Sequence, residues 1–103
     1  MKKTLLKGEK ANGFQESELI IKLDKVVNEK KLHGRTEQLY RHWIGKFIRF
    51  SASHREIQRE EDKVKPFLSD LISRFQLSRA RLNQAKQALE FYFTFVVERP
   101  LGH

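Results

Sequence analysis

Residues 35–50, RTEQLYRHWIGKFIRF, decide the fold. Leu39, Tyr40, Trp43, Ile44, Phe47 and Ile48 recur at the spacing that lines one side of an α-helix. Arg35, Arg41, His42, Lys46 and Arg49 fall largely on the other side. A helix with Trp and Phe on one face and cations on the other is built to dock on a core and face a polyanion.

Upstream, Ser17 can cap a first helix reaching to about Lys31, with Leu19, Ile20, Leu23, Val26 and Val27 as its apolar stripe. Leu32-His33-Gly34 breaks the pattern, and Gly34 suits a left-handed position after a helix. Thr36 is the expected cap of the second helix, which runs to Phe50 or Ser51. Residues 51–59, SASHREIQR, read as a polar, basic connection.

A third helix is expected from Glu61 to Phe75, burying Val64, Phe67, Leu68, Leu71, Ile72 and Phe75. Glu60, Glu61 and Asp62 crowd its start, where the helix dipole favours anions. Pro66 is harmless there only if it lies in the first turn, whose N–H groups lack intrahelical partners. Ser78 caps a fourth helix, Arg79 to about Val97, with Leu77 and Leu82 placed as a hydrophobic staple around the cap. Leu82, Ala85, Ala88, Leu89, Tyr92, Phe93, Val96 and Val97 give its core face. Phe91 and Phe95 widen the stripe until the second half is apolar nearly all round, so it is central in the bundle or carries a second interface. No strand signal and no internal repeat appears. The expectation is an all-α, compact bundle of four short helices.

Composition sets the class. The chain has 103 residues, enough for one domain, 39% of them hydrophobic with eight Phe and one Trp. Formal charge is +8, which for a soluble domain points to nucleic acid or an anionic surface. Absence of Cys excludes disulfides and thiolate metal sites. The opening MKKTLLKGEK has too short an apolar run for a signal peptide, and no segment approaches a membrane span. A cytoplasmic location is expected. Residues 1–16 read as a flexible basic arm, 17–99 as the helical domain and 100–103 as the start of a connector.

Charge is uneven along the chain. Residues 35–59 carry six Arg/Lys against two acids, and residues 60–75 three against four. The third helix is thus expected to face solvent or protein, and Lys63 and Lys65 on it to be removable without effect on an anion-facing surface. The second and fourth helices each open with a hydroxyl beside Arg: Arg35-Thr36, and Ser78-Arg79-Ala80-Arg81. Helix N-termini bind phosphate, so two such ends make a candidate clamp on a duplex backbone. The expected phosphate contacts are Arg35, Thr36, Arg41, Ser78, Arg79, Arg81 and Lys86. Base-edge or groove contacts are expected from Gln38, His42, Asn83 and Gln84. His33, His42, His54 and His103 lack metal-ligand spacing, and the acids at 60–62 point in different directions, so neither metal nor cofactor is called for. Phe91, Tyr92, Phe93 and Phe95, at helical spacing, read as core and not as a stacking platform for bases.

The string Arg-Thr-Glu-Gln at 35–38, Tyr40, Trp43-Ile44, Phe47-Ile48 and Phe50 resembles the opening of the core-binding domain of tyrosine recombinases, most closely the integron-type integrases. Leu23-Asp24-Lys25-Val26 is similar to the preceding helix of that family, and Phe67-Leu68 with Leu71 to its next. Ser78, Asn83-Gln84-Ala85 and Ala88-Leu89 resemble the helix after that, and Pro100-Leu101-Gly102 the start of the connector. The chain departs from the family at Leu82, often Thr, and at KKLHG before Arg35. The resemblance implies a SAM-like core-binding domain that clamps duplex DNA for recombination and integration, with strand cutting left to a separate catalytic domain. It implies no chemistry for this chain: Tyr40 and Tyr92 lie on apolar faces and are not nucleophiles. It implies a tetramer on DNA for the parent; the domain alone is expected to be a monomer, with no membrane or small-molecule partner. The competing reading is a helical protein-interaction module using the aromatic fourth helix.

Overall fold

A computed structural model describes residues 16–99 and 101. Helix α1 spans Glu16–Glu29, α2 Gly34–Ser53, α3 Val64–Phe75 and α4 Arg79–Phe91. A 3₁₀ turn, Glu60–Lys63, leads into α3, and a π-helical segment, Tyr92–Val97, continues α4. The described residues contain no strand. The all-α bundle of four helices is therefore the fold of this chain. The expected basic arm at 1–16 lies almost wholly outside the described residues.

α2 runs through the middle. Trp43, Ile44, Phe47 and Ile48 are buried on it, and Phe47 packs edge-on against Phe67 of α3 and against Tyr92 and Phe93 of the π segment, with ring centroids 5.3, 5.8 and 5.6 Å away. Edge-to-face rings at these spacings add to the stabilisation from area burial. Ala85 and Ala88 of α4 are buried without remainder, and their small side chains let α4 lie close against the rest of the core. Leu23 and Val27 of α1 and Leu71 of α3 complete it.

The helix ends depart from the sequence expectation in one consistent way. α1 closes in a Schellman motif: Leu32 N–H donates to the Val27 carbonyl and Lys31 N–H to that of Asn28, at 3.1 Å each. The left-handed residue is Lys31, φ +59, and not Gly34. Gly34, φ +63, is instead the pivot at which the chain turns into α2. α2 starts three residues earlier than expected, so Thr36 lies inside it. Its N-cap is His33, with no side-chain capping bond; the His33 Nδ1–H donates to the Lys31 carbonyl at 3.0 Å. Ser17 likewise lies within α1. α3 ends at Gln76, φ +51, and the π segment at Glu98, φ +65.

Two expectations about the later helices hold. The Ser78 Oγ accepts from the Arg81 N–H at 3.2 Å, capping α4. Pro66 falls in the first turn of α3, where it costs little. One fails: Ile72 and Phe75 are about half exposed and not core.

The start of α3 is tied to α2 by a buried network. Lys63, 5% exposed, donates to the Ser51 carbonyl (3.1 Å), the Ser51 Oγ (2.8 Å) and Glu60 Oε2 (3.2 Å). Ser51 Oγ–H in turn donates to the Glu60 carboxylate at 2.9 Å. Glu61 meets Arg59 at 3.3 Å and Arg99 at 3.7 Å. Glu60 and Glu61 are therefore held by specific cations as well as by the helix start, and Lys63 is a buried strut, not the exposed control residue its position suggested.

Candidate nucleic-acid interface

The sequence placed cations at the starts of two helices. The fold brings together a different set. The α4 N-terminus meets the middle of α2: the Arg81 guanidinium carbon lies 5.8 Å from the centre of the Trp43 ring, and the His42 ring packs edge-on against that ring at 4.7 Å. The first turns of α2 reach the opposite end of α4, where Tyr40 meets Phe91 at 5.1 Å. Arg35, Thr36 and Gln38 thus stand exposed toward that end, and Ser78, Arg79 and Arg81 toward the other.

Four basic side chains share one patch. His42, Lys46 and Arg49 repeat down the outer face of α2, and Arg81 joins them from α4. Arg49 lies back along α2, its guanidinium within ordinary contact distance of the position a Cβ on Gly45 would take. The pKa of His42 is lowered from its ordinary 6.5, first by partial burial and then by Lys46, Arg81 and Arg49. Burial is the larger cause, and the three like charges around the ring act in the same direction. Lys46, Arg49, Arg79, Arg81 and Lys86 take part in no ion pair among the described residues. A set of cations that repel each other and lack acidic partners favours an incoming polyanion.

Arg41 is placed differently. Its Nη1–H donates to Asp24 at 2.6 Å and its Nε–H to Glu37 at 2.8 Å, and these bonds raise its pKa. Its charge ties α1 to α2. Asn83 is exposed and Gln84 half-buried on α4, and Lys86 is exposed. The Ser78 Oγ lone pair serves the Arg81 N–H, leaving its hydroxyl proton free to donate. Lys46 and Arg49 are absent from the expected contacts, which rest on helix starts, although the i, i+4, i+7 run from His42 marks them.

Neither tyrosine is exposed for chemistry. Tyr92 is fully buried, and burial, with Glu60 nearby, pushes its phenol pKa up and keeps it protonated. Tyr40 is half-buried against Phe91. The ridge required by the protein-interaction reading is absent: Phe91 and Phe95 pack against the core and each other at 5.2 Å, with the Lys30 ammonium 4.2 Å above Phe95. Among the described residues no group of His, Asp and Glu is placed to hold a metal, and no helix is long and apolar enough to cross a membrane.

No curated protein and no solved structure matches the chain. The family model for the phage integrase N-terminal SAM-like domain matches residues 19–103, which takes in all four buried faces and the Arg81–His42 patch. With most of its length matched in this way, the chain belongs to the phage integrase N-terminal SAM-like domain family.

Proposed function

We propose that this chain is the DNA-binding domain of a site-specific tyrosine recombinase, holding duplex DNA at the recombination site while a separate catalytic domain cuts and rejoins strands. The observation that carries the reading is the patch of His42, Lys46, Arg49 and Arg81, which has no acidic partner and joins the capped N-terminus of α4. Phosphate oxygens would meet Lys46, Arg49, Arg79, Arg81 and Lys86, with the Ser78 hydroxyl and the first N–H groups of α4 beside them. Arg35 and Thr36 extend the track along α2, and Gln38, Asn83 and Gln84 are the candidates for reading base edges. Arg41 positions α2 through Asp24 and Glu37 and contributes charge at a distance. Kinship with the integron-type integrases, a tetrameric parent on DNA, a monomeric isolated domain and a cytoplasmic site of action belong to the same proposal.

Trp43 supplies the assay, because Arg81 and His42 both touch its ring. Titration with duplex DNA should change Trp43 fluorescence, with affinity falling steeply in salt: about five phosphates give a log–log slope of about −4.5. Lys46→Gln, Arg49→Gln or Arg81→Gln should each flatten that slope by about one, and Lys65→Gln should leave it unchanged. Absence of salt-dependent binding at low ionic strength, or equal effects from Lys65→Gln, would sink the reading.

A further inference from the structure

α2 and α3 leave an open groove of about 430 Å³ between them. Phe75 and the half-buried Phe50 give it an apolar wall over the buried Phe67 and Leu71, while Lys46, Arg49 and Arg74 stand around it. Its one acid, Asp70, is already paired with Arg74 at 3.4 Å, an i,i+4 contact at the surface that competes weakly for the guanidinium. Phe75 is 54% exposed and Ile72, one helical turn earlier, 50% exposed. They are two of the three large apolar side chains at least half exposed among the described residues. The Lys46 ammonium lies 5.1 Å from the centre of the Phe75 ring, so cation and apolar surface meet at one spot.

A duplex backbone satisfies only half of this arrangement. It offers phosphates to the three cations but nothing apolar to cover Phe75. A peptide with carboxylates and a large apolar side chain satisfies both halves, and grooves between helices take amphipathic segments in this way. From that complementarity of charge and apolar surface we infer that the α2–α3 groove docks an acidic segment of a partner protein. An apolar anchor of the segment seats against Phe75 and Phe50, and its carboxylates meet Lys46, Arg49 and Arg74. The inference does not depend on the DNA reading, since Phe75 and Arg74 lie outside the DNA-facing set. Lys46 and Arg49 belong to both, so the acidic segment and duplex DNA compete.

The test is an NMR titration of the full chain with a synthetic peptide of Glu and Asp residues bearing Leu and Phe anchors. Two controls replace the anchors with Ser, or the acids with Gln and Asn. Amide shifts should cluster at residues 46–54 and 67–75, and both control peptides should bind at least about tenfold more weakly. Phe75→Ser and Arg74→Glu should each weaken the peptide about tenfold, while Phe75→Ser keeps the duplex affinity of the parent chain. Because Phe75 is more than half exposed, that variant keeps its fold, as its spectrum will report. No binding at millimolar peptide, or equal binding of the anchor-free peptide, overturns the inference. So does concentration-dependent shifting of residues 72–75 in the chain alone, which would assign the groove to a second copy. Loss of duplex affinity in Phe75→Ser would assign it to DNA instead, and likewise overturns it.

Discussion

Replacing Lys63 by Met tests how α3 is fastened to α2. The methionine keeps most of the buried stem and removes only the ammonium. Three acceptors lose their donor: the Ser51 carbonyl, the Ser51 Oγ and Glu60 Oε2. Breaking a buried ion pair from one side costs about 3–5 kcal/mol, because the other charge is left without a partner. The Glu60 side chain is 22% exposed, against 6% for Lys63, so water recovers part of the loss. The Ser51 hydroxyl also still donates to it. We therefore expect the low end, about 3 kcal/mol, against a total stability of about 5–15 kcal/mol for a domain of this size. Urea unfolding followed by circular dichroism measures it. Glu60→Gln alone should cost less, and the double variant should be about 1–2 kcal/mol more stable than the sum of the singles, since it strands no charge. A loss below about 1 kcal/mol for Lys63→Met, or additivity of the two changes, would refute the argument that the network holds the 3₁₀ turn in place.

Other outcomes follow from the same geometry. The lowered pKa of His42 means the unfolded chain takes up its proton first, so this residue's contribution to stability is whole above about pH 6.5 and is lost as pH falls toward the native value. His42→Gln should flatten the pH dependence of the melting temperature over that interval. If phosphate lies against His42, DNA binding should strengthen as pH falls through the same interval, and His42→Gln should remove that trend. Gln76→Gly should stabilise the chain by about 1 kcal/mol, because φ +51 strains any residue with a Cβ; an unchanged urea midpoint would contradict the left-handed cap. Trp43→Ala should cost about 3–5 kcal/mol, since Trp43 is 2% exposed, and a loss under about 1 kcal/mol would show that the ring is not core.

Most of the fold was legible because it is written in apolar periodicity. The stripes through Trp43, Phe47, Phe67, Leu71, Leu89 and Phe93 all turned inward. The Ser78 cap was legible because an N-cap depends on its own side chain and one nearby amide. The helix ends were not. Lys31, Gln76 and Glu98 hold left-handed positions that glycine usually takes, and their long side chains give no sign of it. Lys63 hides its role for a related reason: a lysine between two acids and a valine looks solvated until Ser51 is brought to it from twelve residues away. Placing the cationic patch required the crossing of α2 and α4, which no local pattern encodes. Arg81 meets Trp43 while Tyr40 meets Phe91, and only the packed helices show it.

The π segment at Tyr92–Val97 also bears on how this chain is aligned with others. Bonding from i to i+5 places Tyr92 near Val96 and Val97, so the adjacent pairs Tyr92-Phe93 and Val96-Val97 all turn inward. The turn accommodates one residue more than an α-helical turn would need for its ladder of bonds. A relative with a plain α-helix here would bury equivalent residues on both sides and be one residue shorter between them. An alignment without a gap across this point is then correct before Tyr92 and wrong after Val97, or the reverse. Residues transferred from relatives onto Glu98, Arg99 and beyond should be counted from the far side of the π turn.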